Sequence, residues 1–225
     1  MTNFVLVHGA WGGSQTWERV PQMLRNAGHE VLVASLTGLG DRRDALNPGI
    51  VLSDHVTDVC EQVEEAGFDR FVLVGHSYGG MVITGVATRL GARIDALAYL
   101  DAFVPGDGQS LWDVTGDFEH HWYIEQQKFT PGLVPPIGML DFQSTPDVGY
   151  HPLLTMLEGV SYTGEEAKIP RRAYMFATGW KPTPFQSFAD RLRHDKDWEF
   201  HEADSDHFLM EKVPDDVIRL LIPLG

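Results

Sequence analysis

The chain has 225 residues, 43% hydrophobic and 11% aromatic, which suits one folded domain with a sizeable core and excludes a disordered chain. Its formal charge of −15, from 17 basic and 32 acidic side chains, argues against nucleic acid or an anionic membrane as partner. No apolar run approaches the roughly 20 residues of a membrane-spanning helix, and the single cysteine, Cys60, excludes an intrachain disulfide.

The stretch "NFVLVHG" (3–9) reads as a short apolar strand ending in glycine. It reads as the first strand of the fold and not as a signal peptide, so a cytoplasmic location is expected. Residues 15–29 show helical spacing with a Gly28 stop, and "EVLVASL" (30–36) is a second strand. Residues 53–68 read as an amphipathic helix with Ser53 as its N-cap and Cys60 as a buried, inert thiol. A third strand (70–75), a helix rich in small residues (79–91) and a fourth strand (94–103) follow. Alternation then stops: residues 104–168 are rich in Gly, Pro and aromatics, including Trp112, Phe118, Trp122, Tyr123, Phe129 and Phe142. It resumes with a strand at 171–179, a helix at 184–195, a strand at 198–205 and a helix near 213–222. The expected fold is α/β: a mostly parallel sheet of about six strands with helices on both faces. It is expected to form one domain, with a core of 1–103 and 169–225 and a cap inserted at 104–168.

Between the third strand and its helix lies Gly75-His76-Ser77-Tyr78-Gly79, which fits G-x-S-x-G. This pattern needs a strand before it and a helix after it, and both are predicted. The glycines allow a tight turn that presents Ser77 beyond the sheet edge, with the helix N-terminus and the Tyr78 amide facing any developing negative charge. "HGAWGG" (8–13) ends the first strand and offers the Ala10 amide as a second oxyanion donor. His207 follows the last strand and can reach the same edge as the base. His201 lies within a strand, His194 in a helix, and His8 and His76 in structural positions beside glycines.

"FVLVHGAW", "GHSYGGMV", "YLDAFVP" and "DHFLMEKVP" together resemble the α/β-hydrolase superfamily. More narrowly they look like the compact plant methylesterase and hydroxynitrile-lyase group and its bacterial relatives. The resemblance implies the α/β-hydrolase fold and makes residues 104–168 the cap over the serine. Lyases of the group place a threonine after the histidine of the first loop and a lysine after the catalytic histidine. Here those positions hold Gly9 and Phe208, which favours ester hydrolysis. Epoxide hydrolases and dehalogenases carry an aspartate where this chain has Ser77. The plant enzymes place the triad acid after the strand matching 172–178, where this chain reads "FATGWKPTPF" without a carboxylate. Some hydrolases take it from the preceding strand, which makes Asp101 the candidate; Asp204, Asp206 or a Ser–His dyad are the alternatives.

The expected function is a serine hydrolase that cleaves a small to medium carboxylic ester through an acyl-enzyme on Ser77. Ser77, His207 and Asp101 form its triad, and the amides of Ala10 and Tyr78 its oxyanion hole. Trp11, Trp112, Trp122, Tyr123 and Phe208 are the expected pocket residues. No metal and no cofactor is expected, and the partner is a small-molecule ester, with a homodimer left open. Two competing classes stand beside it: a cofactor-free lyase or other carbonyl-substrate enzyme on the same Ser–His site, and a non-catalytic ligand-binding protein on the hydrolase scaffold.

Overall fold

The computed structural model describes residues 1–137 and 148–225; Phe142 lies outside them. In chain order the elements are β1 (Asn3–Val7), α1 (Val20–Asn26), β2 (Glu30–Ala34), α2 (Leu52–Ala66), β3 (Phe71–Ser77), α3 (Gly79–Leu90) and β4 (Ile94–Ala102). Then come α4 (Leu111–Val114), α5 (Asp117–Gln126), β5 (Leu133–Val134), β6 (His151–Pro152) and α6 (Leu154–Leu157). The chain closes with β7 (Arg172–Ala177), α7 (Gln186–Leu192), β8 (Glu199–Ala203), α8 (Leu209–Lys212) and α9 (Pro214–Leu221).

Six strands form one sheet in the order β2-β1-β3-β4-β7-β8. Every neighbouring pair in it is parallel. Alternation along each strand sorts side chains to two faces. Val5, Val7, Leu73 and Tyr99 join one apolar cluster with Val56, Val59 and Val63 of α2 and Met81, Ile83 and Val86 of α3. Phe4, Leu6, Val72 and Val74 join the other, with Leu24 of α1 and Val217, Leu220 and Leu221 of α9. β3 is buried along all seven residues, as a central strand covered on both faces must be. Strand order reverses at β1, so the ends of β1 and β3 lie side by side, where open α/β sheets form their ligand crevice.

Local chemistry moves several predicted boundaries. The helix expected over 15–29 is a 3₁₀ turn at Ser14–Trp17 followed by α1, with Pro21 in its first turn. Proline has no N–H to continue a preceding turn but fits a helix start. Pro214 likewise separates α9 from α8. Ser53 is not the cap of α2: Val51 is the N-cap, and the Asp54 carboxylate accepts its amide at 2.9 Å. Ser53 instead binds Glu158 through its amide (2.7 Å) and hydroxyl (3.0 Å), tying α2 to the 104–168 segment.

Among its described residues that segment carries α4, β5, β6 and α6 besides the longer α5, with a 3₁₀ turn at Glu166–Lys168, and β5 pairs antiparallel with β6. Its Leu111, Tyr123, Val134 and Met156 continue the cluster on the α2 and α3 side of the sheet. Among the described residues no helix is long and apolar enough to cross a membrane.

The small residues of α3 allow close approach on two sides. A Cβ on Gly79 would lie 2.5 Å from the Val7 carbonyl oxygen, and one on Gly85 would lie 2.4 Å from a Val56 methyl. Gly79→Ala is therefore expected to cost about 1–3 kcal/mol, since backbone must move to admit the methyl. Gly149→Ala, where an added Cβ meets nothing within 4 Å, is expected to stay within about 0.5 kcal/mol of wild type. Chemical denaturation of the two variants checks the contrast.

Candidate active site

Ser77 is the last residue of β3 and α3 starts two residues later, so the chain turns sharply at the serine. Its φ is +55°, in the left-handed region that a residue with a side chain enters only at a cost. Gly9 makes room for it: a Cβ there would sit 2.9 Å from the Ser77 Cβ.

Asp101 reaches the site through an irregularity in the neighbouring strand. In the β3–β4 register His76 pairs with Leu100 and Ser77 with Ala102, so Asp101 is the extra residue of a bulge. Its φ is +40°. Bulges re-aim side chains, and this one turns a fully buried carboxylate towards the ends of β7 and β8. Three N–H donors meet it there. Oδ1 accepts from the Ala177 amide at 3.2 Å, and Oδ2 from the Trp180 indole at 3.0 Å and His207 Nδ1 at 2.8 Å.

A carboxylate acceptor assigns the His207 proton to Nδ1 and leaves Nε2 as the proton acceptor. The imidazole is held by its neighbours. It lies nearly parallel to Phe185, with ring centroids 5.1 Å apart, and contacts Trp180 at 5.1 Å. His76 Nε2 donates to the His207 carbonyl at 2.8 Å, so the histidine after Gly75 anchors the loop that carries the second one. Burial keeps His207 well below the ordinary histidine range and therefore neutral near pH 7. Burial pushes the Asp101 carboxyl upward, and the Ala177 and Trp180 bonds pull it back. Ser77 and His207 line one cavity and are not hydrogen-bonded to each other. Asp204 is exposed, and Asp206 turns back to accept the Phe208 amide at 2.9 Å, so neither alternative carboxylate meets the His207 ring.

The cavity is lined largely by apolar side chains, Trp11, Phe103, Leu111, Tyr123, Met156 and Phe185 among them. Ala10 and Tyr78 border it beside Ser77. Phe208 borders a smaller adjoining cleft that also reaches Ser77 and His207. Trp112 and Trp122 were expected in the pocket and do not line it. Trp112 stacks on His120 at 3.8 Å, and the Trp122 indole donates to the Pro135 carbonyl at 3.2 Å, so both serve the packing of the insertion.

Trp11 does more than line the cavity. Its φ is +65°, its indole donates to the Val134 carbonyl at 3.0 Å, and its carbonyl accepts the Gly149 amide at 2.9 Å. The loop after β1 is thus laced to the β5–β6 region. Tyr78 is held by buried polar groups. His55 Nε2 donates to the Thr37 carbonyl at 2.9 Å, which leaves Nδ1 to accept the Tyr78 hydroxyl at 2.9 Å. Among the described residues no group of three His, Cys, Asp or Glu side chains is arranged to hold a metal ion.

The fold agrees with known proteins. Residues 4–220 match the alpha/beta hydrolase family. Over 242 aligned residues the chain is 35% identical to a carbendazim hydrolyzing esterase of Nocardioides sp. (strain SG-4G), covering 100% of both chains. It is 26% identical over 256 residues to polyneuridine aldehyde esterase of Rauvolfia serpentina, covering 99% of this chain and 95% of that one. An extracellular alpha/beta-hydrolase from a Paenibacillus species superposes with a TM-score of 0.83 at 21% identity, over 100% of this chain and 99% of that one. The chain belongs to the α/β hydrolase family. Within it the enzyme is of the esterase class, which its full-length relatives share.

Sequence reasoning missed two residues of the site. Trp180 stands in "FATGWKPTPF", the loop searched in vain for a carboxylate; it supplies a donor to the carboxylate that comes from β4 instead. Glu119 borders the cavity from α5 and left no readable signal, since Glu at the third position of a helix is an ordinary capping residue. Trp180→Phe tests the donor. Losing the indole N–H disfavours the ionised carboxylate, so the Asp101–His207 pair takes up its extra proton at higher pH. The acid limb of the kcat/KM profile for an ester is expected to move to higher pH, with a smaller loss well above it. An unmoved limb counts against the bond.

Proposed function

We propose that this enzyme cleaves small to medium carboxylic esters by acyl transfer through Ser77. His207 Nε2 takes the Ser77 proton as Oγ bonds to the ester carbonyl carbon. The amides of Ala10 and Tyr78 hold the oxyanion, each contributing about 3 kcal/mol if it acts as such donors do elsewhere. As the tetrahedral species collapses, the carbon–oxygen bond to the alcohol breaks and His207 returns its proton to the leaving oxygen. Water enters and His207 takes its proton as the oxygen bonds to the acyl carbon; the bond to Ser77 Oγ then breaks, His207 returns the proton to Oγ, and the acid is released. Asp101 orients His207 and stabilises its charged form.

The observation that carries this reading is the Asp101–His207 bond at 2.8 Å, with His207 and Ser77 on one cavity. The mostly apolar lining supports esters with apolar or aromatic parts. The Nocardioides relative is named for carbendazim; that compound belongs on a substrate panel for this enzyme. Gly9 supports ester hydrolysis over lyase chemistry, because a side chain at that position would collide with Ser77. We assign residues 104–168 the role of a cap that shapes the acyl and alcohol sites.

The test is hydrolysis of short p-nitrophenyl esters by wild type, Ser77→Ala and Asp101→Asn. Ser77→Ala is expected to abolish turnover and Asp101→Asn to lower kcat by about four orders of magnitude, with both variants folded. Wild type should show a burst of p-nitrophenol matching the enzyme concentration where deacylation is slow. Full activity in Ser77→Ala would end the acyl-enzyme reading. Little change in Asp101→Asn would keep the nucleophile and remove Asp101 from the triad.

A further inference from the structure

Among the described residues lining the cavity around Ser77 is one carboxylate that the reaction does not use. Glu119, on α5, is only 8% exposed and lines the same cavity as Ser77 and His207. Its single hydrogen bond among the described residues is to the Gly116 amide, 3.1 Å from Oε2. No Lys, Arg or His among the described residues forms an ion pair with it. One turn on, Tyr123 lines the same cavity, and burial and then the Glu119 charge push its phenol above its ordinary range. The Tyr78 hydroxyl, another polar group of the lining, is already bonded to His55.

A carboxylate removed from water is costly unless donors meet it. One backbone amide and the start of a helix compensate part of that cost and leave acceptor capacity unfilled. Capping α5 does not require burial in the pocket, because a capping glutamate works equally well in solvent. Glu119 borders the cavity that holds Ser77 and His207 on one side and a surface groove with Gly116 and Phe118 on the other.

We propose that Glu119 is a specificity-determining residue that selects esters carrying an N–H donor in an otherwise apolar acyl or alcohol part. This rests on the ester-hydrolase reading above. Recognition is then two-pointed: the ester carbonyl sits at Ser77 between the Ala10 and Tyr78 amides, and the N–H is taken by the Glu119 carboxylate. An ester of the same shape without the N–H leaves a buried carboxylate unpaired, and discrimination against it is the stronger for that.

The experiment compares methyl esters of indole and benzothiophene carboxylic acids substituted at the same ring position. They match in shape and differ in the ring N–H. Wild type is expected to favour the indole ester by about tenfold or more in kcat/KM, the effect of a hydrogen bond to a charged acceptor. Glu119→Gln keeps a neutral acceptor and the helix cap and should cut the preference severalfold. Glu119→Met removes the acceptor and should bring the ratio close to one. A wild-type ratio near one, or a preference unchanged in both variants, overturns the proposal. The Gln variant keeps the test alive if the Met variant fails to fold. If wild type hydrolyses neither ester, calorimetric binding of the same pair separates the two readings. Indole-selective binding that weakens in Glu119→Gln retains Glu119 and removes only ester hydrolysis. Equal affinities remove Glu119.

Discussion

The site is organised around a hydrogen bond between two buried ionisable side chains, Asp101 and His207. Such a pair is unstable unless every remaining lone pair and proton is accounted for. The surrounding elements meet that demand. A bulge in β4 delivers the carboxylate, the end of β7 gives it an amide, and the following loop gives it an indole N–H. His76 fixes the backbone of His207 from the elbow side. The three strands that end here are neighbours in the sheet, so the geometry of the pair is set by sheet order and not by flexible loops alone.

The same demand bears on where strain is tolerated. Among the described residues, three of the four non-glycine residues with positive φ, Trp11, Ser77 and Asp101, stand where a strand gives way to a loop or helix at one edge of the sheet, and the fourth, Glu18, ends the 3₁₀ turn at Ser14–Trp17. Each such residue costs of order 1–3 kcal/mol unless its surroundings over-determine it. The two apolar clusters on either side of the sheet provide the compensating burial, and α3 is drawn against β1 by glycines at the turn itself. Stability made in the core is thus spent at the catalytic edge.

The fold was legible because parallel strands covered on both faces write themselves as short apolar runs, and G-x-S-x-G between a strand and a helix has few other uses. His207 was legible from its place after the last strand. Asp101 was less so. A bulge shifts pairing by one residue and leaves no mark on an apolar strand, so the sequence could name the carboxylate but not show that it turns towards β7. Trp180 was invisible for the same reason: its partner lies across two strands. The pocket residues were read least well. Residues 104–168 have no sustained periodicity, so aromatic content alone suggested Trp112 and Trp122, which pack within the segment, and gave no hint of Glu119. Ser53 failed as a helix cap because a carboxylate on the next residue reaches the free amide of Val51, releasing the serine to bind Glu158.

The bonds made by Trp11 give the oxyanion loop a second allegiance. Its carbonyl and indole are held by residues of the 104–168 segment, while the adjacent Ala10, whose amide is the proposed oxyanion donor, borders the cavity. The backbone one residue from the proposed oxyanion donor is thus tied to Val134 and Gly149. The placement of that donor and the placement of those two residues are coupled through a single tryptophan.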